Sequence, residues 1–296
     1  MQMQMTLFQY EDVRIPRISP FRTQLLKWIG NKQRFAHEIA SYFPQQFGSY
    51  HEPFLGSAAV MAALAPSRGF GSDSFRPLIE IWQTLKDDPD LLKKWYAERW
   101  QAMMRGDKTA EYERIKASYN AHPNPADLLF VCRSCYGGVV RFRMKDGYIS
   151  TPCGVHRPIS PENFARRVDL WRKRLAGATF SHMEYEEAMG SAQAGDIVYC
   201  DPPYSDTQAI LYGAQSFRLE SLFECIADCK RRGVFVALSI DGTKRSGNHT
   251  CHLSVPKGLF EREVLVNCGR SMLKRFQMNG KSLVDHVVAD RLMLTY

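Results

Sequence analysis

The chain has 296 residues, of which 45% are hydrophobic and 24% are charged, as is ordinary for a folded protein. It contains no run of about 18 apolar residues, and its first twenty residues are polar, so we expect neither a membrane span nor a secretory signal, and a cytoplasmic location. Its 39 lysines and arginines against 31 aspartates and glutamates give a net charge of +8, which favours an anionic partner such as nucleic acid.

The segment 21–43 predicts a helix that begins near Asn31, because its apolar residues then fall at helical spacing. The next stretch, "SYHEPFLGSAAVMAALAP" (49–66), predicts a short strand, a glycine turn and an alanine-rich helix. The small residues that begin at Gly56 would let backbone amides approach a ligand at the start of that helix. "GFGSDSF" (69–75) predicts a second strand that ends at Asp73.

Residues 76–186 differ in character and are mostly helical in pattern. Within them, "GGVVRFRMKDGYISTPCG" (137–154) alternates in polarity on both sides of Asp146-Gly147, which predicts a β-hairpin rich in basic residues. We interpret 76–186 as a helical insert that carries this hairpin.

The sequence after residue 186 alternates again between strands and helices. "GDIVYCDPPY" (195–204) predicts a strand that ends in Asp-Pro-Pro-Tyr, and an amphipathic helix and three further strands follow. Alternation of this kind predicts an α/β fold with a mostly parallel sheet covered on both faces. Ligands bind such sheets beyond the carboxyl ends of the strands, which would bring Gly56, Asp73 and Asp201 to one edge.

Cysteine spacing predicts no metal site. Only Cys132 and Cys135 form a C-x-x-C pair, and a four-ligand zinc site needs a second one. The Pro-Cys in "TPCG" (151–154) could indicate the nucleophile of a cytosine-C5 methyltransferase, but nothing else in the sequence supports that chemistry.

The absent motifs narrow the choice of cofactor. The sequence contains neither G-x-x-x-x-G-K-[ST], which holds nucleotide phosphates, nor the dinucleotide motif G-x-G-x-x-G. An acidic side chain such as Asp73, one strand–helix unit after a glycine turn, can accept hydrogen bonds from ribose hydroxyls. A cofactor with a ribose but no phosphate fits this pattern, and S-adenosyl-L-methionine is the obvious candidate.

Asp-Pro-Pro-Tyr suits methyl transfer to an amino group on an aromatic ring. The lone pair of such an amine is delocalised into the ring, and acceptors for its two N–H bonds steer the nitrogen toward a tetrahedral geometry. Asp201 could be one acceptor and the carbonyl of Pro202 the other, while Tyr204 could stack on the base. Positioning and electrostatics would then suffice without a metal.

From about residue 21 to the C-terminus, the chain resembles the DNA adenine-N6 methyltransferases of the Dam type, the D12 class. The motifs of the chain also follow one another in the order found in that family. "LLKWIGNK" (25–32) is similar to the N-terminal motif of that family, "HEPFLGSAAV" to its cofactor motif, "SDSFRPLIEIW" to its acidic ribose motif and 139–154 to its DNA-reading hairpin. The resemblance implies a Rossmann-like methyltransferase sheet with a reversed terminal strand. It also implies a catalytic domain of residues 1–75 and 187–296, with 76–186 as the target-recognition insert.

Residue roles follow from the same resemblance. The cofactor-binding candidates that it implies are Trp28, Lys32, Glu52, Phe54, Gly56, Asp73 and Asp201, with Lys32 near the methionine carboxylate and Asp73 at the ribose. Lys27 and Arg141 match positions that touch DNA, and Arg143 is a further DNA-binding candidate on the hairpin. Arg141 could form a bidentate contact to guanine or hold a phosphate. Asp201, Pro202 and Tyr204 are the catalytic candidates.

The expected function is site-specific transfer of a methyl group to N6 of a flipped-out adenine in double-stranded DNA, within a restriction–modification, phage or other defence system. Two alternatives stay open at this point. One is an N4-cytosine or RNA amino methyltransferase, because related motifs serve any exocyclic amine. The other is a DNA-binding protein with a degenerate methyltransferase fold, because Ala58 stands where the family usually has a second glycine.

Overall fold

The computed structural model describes residues 18–143, 145–203, 217–240, 255–267 and 289–296. Tyr204 therefore lies outside the described residues. The helices of the described part are α1 (Ala36–Ser41), α2 (Ala59–Leu64), α3 (Arg76–Asp87), α4 (Pro89–Arg105), α5 (Lys108–Ala121), α6 (Pro125–Ser134), α7 (Pro161–Arg174), α8 (Tyr185–Gly190) and α9 (Leu219–Arg231). The strands are β1 (Tyr50–Glu52), β2 (Gly69–Asp73), β3 (Ala178–His182), β4 (Ile197–Cys200), β5 (Phe235–Ile240), β6 (Arg262–Asn267) and β7 (Ala289–Leu294).

In the described part of the chain these strands form one sheet in the order β3-β2-β1-β4-β5-β7-β6. The pairs β3·β2, β2·β1, β1·β4 and β4·β5 are parallel, whereas β7 runs antiparallel to both β5 and β6. Because β1 and β4 are buried at every position, both faces of the sheet centre are covered. The prediction of a mostly parallel methyltransferase sheet with a reversed terminal strand is confirmed.

Two details of the sequence prediction are wrong. Helix α1 begins at Ala36 rather than near Asn31, because the residues before it form turns, in which the side-chain oxygen of Asn31 accepts from the backbone N–H of Gln33. Strand β3 belongs to the sheet although it falls within 76–186, which the sequence pattern assigns to a helical insert. β3 is an edge strand with exposed alternate positions, so it carries little of the hydrophobic pattern of a central strand.

The predicted hairpin lies after α6. The carbonyl of Tyr148 accepts from the backbone N–H of Arg143 at 2.9 Å, and Phe142 pairs with Ile149 in an antiparallel bridge. The turn passes through Gly147 at φ +66°, a left-handed conformation that glycine adopts without steric cost. Helices α4, α5 and α6 pack on one another beside this hairpin.

The strand order determines where a ligand can bind. β1 lies between β2, the next strand along the chain, and β4, which begins more than a hundred residues later, so the chain connections diverge on either side of β1. Ligands of open parallel sheets bind at such a switch point, outside the carboxyl ends of the strands. Glu52, Asp73 and Asp201 stand at the carboxyl ends of β1, β2 and β4.

No helix in the described stretches has the length and apolar character needed to cross a membrane.

Candidate active site

A cavity of about 350 Å³ opens beyond the carboxyl ends of β1, β2 and β4. All seven residues predicted for cofactor binding line it, namely Trp28, Lys32, Glu52, Phe54, Gly56, Asp73 and Asp201. Pro203 lines it as well, whereas Pro202, between Asp201 and Pro203, is buried. The fold thus brings four separate motifs of the sequence to a single cavity.

The glycine turn between β1 and α2 forms one wall of the cavity. Gly56 has a φ of +48°, and a Cβ at this position would lie 3.3 Å from Cδ1 of Trp28. Its carbonyl accepts a hydrogen bond from Nε1 of Trp82 at 3.0 Å. A side chain at Gly56 would therefore strain the backbone and push against a cavity wall.

Ala58 occupies the position where the related family usually has glycine, and it adopts a left-handed conformation with a φ of 52° and a ψ of 26°. Its backbone N–H donates to the carbonyl of Leu55 at 2.7 Å, so the turn closes without glycine here. The methyl group is buried in the core, and Ser57 and Ala59, but not Ala58, line the cavity. The alanine costs the strain of a left-handed residue, about 1 kcal/mol, but leaves the cavity open.

The Asp73 carboxylate is oriented by the backbone. Oδ2 accepts from the N–H of Gly56 at 3.0 Å, and Oδ1 accepts from the N–H of Phe75 at 3.0 Å. Burial raises the pKa of Asp73 to about 6, against the lowering effect of these two hydrogen bonds. Each oxygen retains a second lone pair, so the group can still accept hydrogen bonds from ligand hydroxyls.

Glu52 lies deeper, with 3% of its surface exposed. Its Oε2 accepts from the hydroxyl of Tyr50 at 2.8 Å and from the backbone N–H of Met61 at 3.0 Å. Burial, assisted by the nearby negative charge of Asp201, raises the pKa of Glu52 to about 8. Glu52 is therefore mostly protonated at neutral pH, and a cation placed in the cavity would favour its ionised form.

Lys32 and Asp201 form an ion pair with 2.8 Å between Nζ and Oδ1. Nζ also donates to the carbonyl of Gly30 at 3.1 Å. Only 6% of the Lys32 side chain and 16% of the Asp201 side chain are exposed, so little water screens the pair. It joins the turn before α1 to the end of β4.

Sequence reasoning missed part of the cavity lining. Phe54 stacks on Tyr185 with 5.1 Å between ring centroids, and Phe217 packs edge-on against both rings at 5.9 Å and 5.8 Å. Glu184 also lines the cavity. Both Glu184 and Tyr185 follow β3, so the available signal was the strand–turn–helix pattern of 178–190, which the sequence prediction placed in the insert as far as residue 186.

The three DNA-binding candidates lie on the hairpin or against its base. Arg141 and Arg143 are exposed on it. Arg143 pairs with Asp146 at 2.7 Å, and its guanidinium lies 4.1 Å from the ring centroid of Tyr148, so its side chain is held within the hairpin. Lys27 packs against Gly138 at the hairpin base, where a Cβ would lie 2.7 Å from Cδ of the lysine.

Lys27 lies among other cations. Burial and the neighbouring guanidinium of Arg133 lower the pKa of Lys27, and Arg167 adds to the effect. Arg133 and Arg167 both donate to the backbone carbonyl of Gln24, three residues before Lys27. Arg133 is buried, whereas Lys27 and Arg167 are partly exposed, so these two place positive charge at the surface beside the hairpin.

The chain is similar in sequence to known proteins. The sequence model of a family described as D12 class N6 adenine-specific DNA methyltransferase matches residues 28–263. The chain is 27% identical to the Type II methyltransferase M1.LlaDCHI of Lactococcus lactis subsp. cremoris, over 72% of this chain and 79% of that protein. It is 28% identical to the Retron Ec67 DNA adenine methylase of Escherichia coli, over 62% and 64%. A DNA adenine methylase of Vibrio cholerae is 25% identical, over 72% and 79%.

Proposed function

This chain belongs to the D12 class N6 adenine-specific DNA methyltransferases, and from that premise we propose that the cavity beyond β1, β2 and β4 holds the methyl donor and receives the target base. The reaction is the transfer of a methyl group to N6 of adenine in DNA, and S-adenosyl-L-methionine is the donor that membership of this family implies. The observation that carries the proposal is the convergence of all seven predicted cofactor residues on one cavity.

The charges of the lining fit a cationic ligand that also carries one carboxylate. Five lining residues have carboxyl groups and Lys32 supplies an ammonium group; the five are Glu52, Asp73, Glu184, Glu186 and Asp201. S-adenosyl-L-methionine has a sulfonium and an ammonium cation, a carboxylate and a ribose. We assign the ribose hydroxyls to Asp73 and the methionine carboxylate to Lys32, and we place Trp28, Phe54 and Gly56 in the walls of its binding site.

When bound, the cofactor supplies an electrophilic methyl group. The protein's part is to make the adenine amine nucleophilic. Asp201 accepts one N–H of the amine and the carbonyl of Pro202 accepts the other, which localises the lone pair on nitrogen. Since proline has a fixed φ, the direction of that carbonyl is constrained. Tyr204, beyond the described residues, is proposed to stack on the base.

Adenine can reach Asp201 only if it leaves the duplex, because the cavity lies at the edge of the sheet and N6 lies inside the base stack. Base flipping is the general solution for enzymes that modify duplex bases. We propose that residues 76–186, apart from β3 and the elements that cover the sheet, form the target-recognition insert for double-stranded DNA, and that 1–75 and 187–296 form the catalytic domain together with those exempted elements. The name of the Type II relative supports a role in a restriction–modification system.

Isothermal titration with S-adenosyl-L-homocysteine tests the cavity assignment. We expect one molecule to bind per chain, and we expect Gly56→Ala to weaken binding about tenfold, because the added methyl pushes on Trp28. Gly190→Ala is the matched control, since a Cβ there meets no atom within 4 Å. An unchanged affinity in Gly56→Ala would place the ligand elsewhere.

The hairpin arginines should differ in their effect on DNA binding. Arg141→Ala is expected to weaken binding of duplex DNA by about 1–3 kcal/mol if the contact is bidentate. Arg143→Ala should cost less, because the Arg143 side chain is held by Asp146 and Tyr148. Fluorescence anisotropy at several salt concentrations measures both, and a phosphate contact by Arg141 would lower the salt slope by about one. A larger loss in Arg143→Ala would contradict this assignment.

A further inference from the structure

The recognition hairpin touches the wall of the cofactor cavity through one aromatic side chain. The ring of Phe142 meets the ring of Phe75 edge-on, with 5.5 Å between centroids and 76° between planes. Phe75 in turn stacks on Trp28 at 5.9 Å and 28°. Phe75 and Trp28 line the cavity, whereas Phe142, which is 6% exposed, packs behind them.

Strand geometry ties Phe142 to the exposed arginines of the hairpin. Successive side chains of an extended strand point to opposite faces, so Phe142 faces inward between the exposed Arg141 and Arg143. The bridge from Phe142 to Ile149 fixes the register of the two hairpin strands. Arg141 and Phe142 share a peptide unit, so a displacement of the Arg141 backbone would displace the backbone of Phe142 as well.

Phe75 connects the hairpin to the cavity through two features. Its ring forms part of the wall, and its backbone N–H donates to Oδ1 of Asp73 at 3.0 Å. Phe75 is also the residue that caps the start of α3, so its position is coupled to that of a helix packed on β2 and β3. Close-packed protein interiors have low compressibility and transmit strain.

We propose that Phe142 is a positioning residue that couples DNA recognition to cofactor binding by way of Phe75. The proposal rests on the assignment of the cofactor to this cavity. DNA on the hairpin holds Phe142 against Phe75, which holds the wall and the Asp73 carboxylate in the geometry that binds the cofactor. Because binding free energies are linked, the cofactor must tighten DNA binding by the same factor.

Calorimetry measures this coupling. The probes are S-adenosyl-L-homocysteine and plasmid DNA from a host without adenine methylation, and the dissociation constant of the former is determined with and without saturating DNA. We expect DNA to tighten binding by a factor of about 2 to 10, the range expected for one aromatic contact. In Phe142→Leu the ratio of the dissociation constants of S-adenosyl-L-homocysteine without and with DNA should fall to about one. The dissociation constant without DNA should change less than about twofold.

Three comparisons separate coupling from a general loss of structure. Ile226→Val removes a buried methyl group from α9, in a core cluster that does not contain Phe142, and should keep the wild-type factor. Phe142→Leu in a Phe75→Leu background should cause no additional loss. In steady state, Phe142→Leu should raise the KM for the cofactor at saturating DNA and leave kcat unchanged. If Phe142→Leu unfolds, Phe142→Met, which fills a similar volume without a ring, takes its place.

Distinct outcomes overturn distinct claims. A wild-type factor of one, a wild-type factor retained in Phe142→Leu, or an equal loss in Ile226→Val would overturn the coupling role of Phe142. A wild-type protein that binds no S-adenosyl-L-homocysteine, with or without DNA, would instead overturn the cofactor assignment on which the coupling depends.

Discussion

Replacing Asp201 with asparagine should lower the rate constant for adenine methylation by a factor of about 10² to 10³, the usual cost of one preorganised hydrogen-bonding group at a reacting centre. The side-chain carbonyl of the introduced asparagine could still accept a hydrogen bond from Lys32, which keeps the buried lysine satisfied. The NH₂ group of that asparagine donates and cannot accept the N–H of the adenine amine. The substitution thus removes charge and acceptor capacity at an almost constant side-chain volume.

Single-turnover methylation measures this loss without contributions from product release. Asp90→Asn is the matched control, because Asp90 is exposed on α4 and makes an ion pair with Lys93 far along the chain from the catalytic motif. Thermal unfolding should show both variants folded. A methylation rate in Asp201→Asn within about threefold of the wild type would remove Asp201 from the catalytic role, because it corresponds to less than about 1 kcal/mol.

The second large effect concerns the pH dependence of stability. The pKa of Glu52 is about 8 in the folded protein and near 4.5 in the unfolded chain. Between these pH values the folded state keeps a proton that the unfolded state loses, so each pH unit destabilises the fold by up to about 1.4 kcal/mol. This loss stops above about pH 8, where both states are ionised.

Glu52→Gln has no proton to lose, so its stability relative to the wild type should rise with pH from about 5 to 8 by at least about 2 kcal/mol, and then level off. Denaturant unfolding of both proteins at several pH values provides the comparison, and the titration of Asp73 cancels because both contain it. Glu98→Gln, at a largely exposed glutamate, is the control for the loss of a carboxyl group as such. A pH-independent difference for Glu52→Gln would mean that Glu52 is ionised in the fold.

The elements that surround the cavity could largely be predicted because they depend on short-range sequence patterns. The strand, glycine turn and helix at 50–64, and the strand ends at Asp73 and Asp201, each depend on a short run of consecutive residues. Parallel pairing then brings the strand ends together without further information. The identities of these cavity residues were accordingly predictable from motif order.

The parts that could not be predicted depend on contacts between distant segments. Strand β3 is short and exposed along one face, so only its pairing with β2 reveals it, and Glu184 and Tyr185 were missed with it. The contact between Phe75 and Phe142 arises from the docking of the hairpin on the start of α3, for which neither segment has a local signature. The left-handed conformation of Ala58 could not be predicted for another reason, because such a backbone conformation is rare for alanine.

The central claim, methyl transfer to adenine N6 at Asp201, is tested most directly by mass analysis of nucleosides. Unmethylated plasmid DNA is incubated with S-adenosyl-L-methionine and either wild-type protein or Asp201→Asn, then digested to nucleosides. The account predicts N6-methyldeoxyadenosine from the wild type and a yield at least about a hundredfold lower from the variant in the same time. N4-methyldeoxycytidine as the product, or equal yields from both proteins, would contradict it.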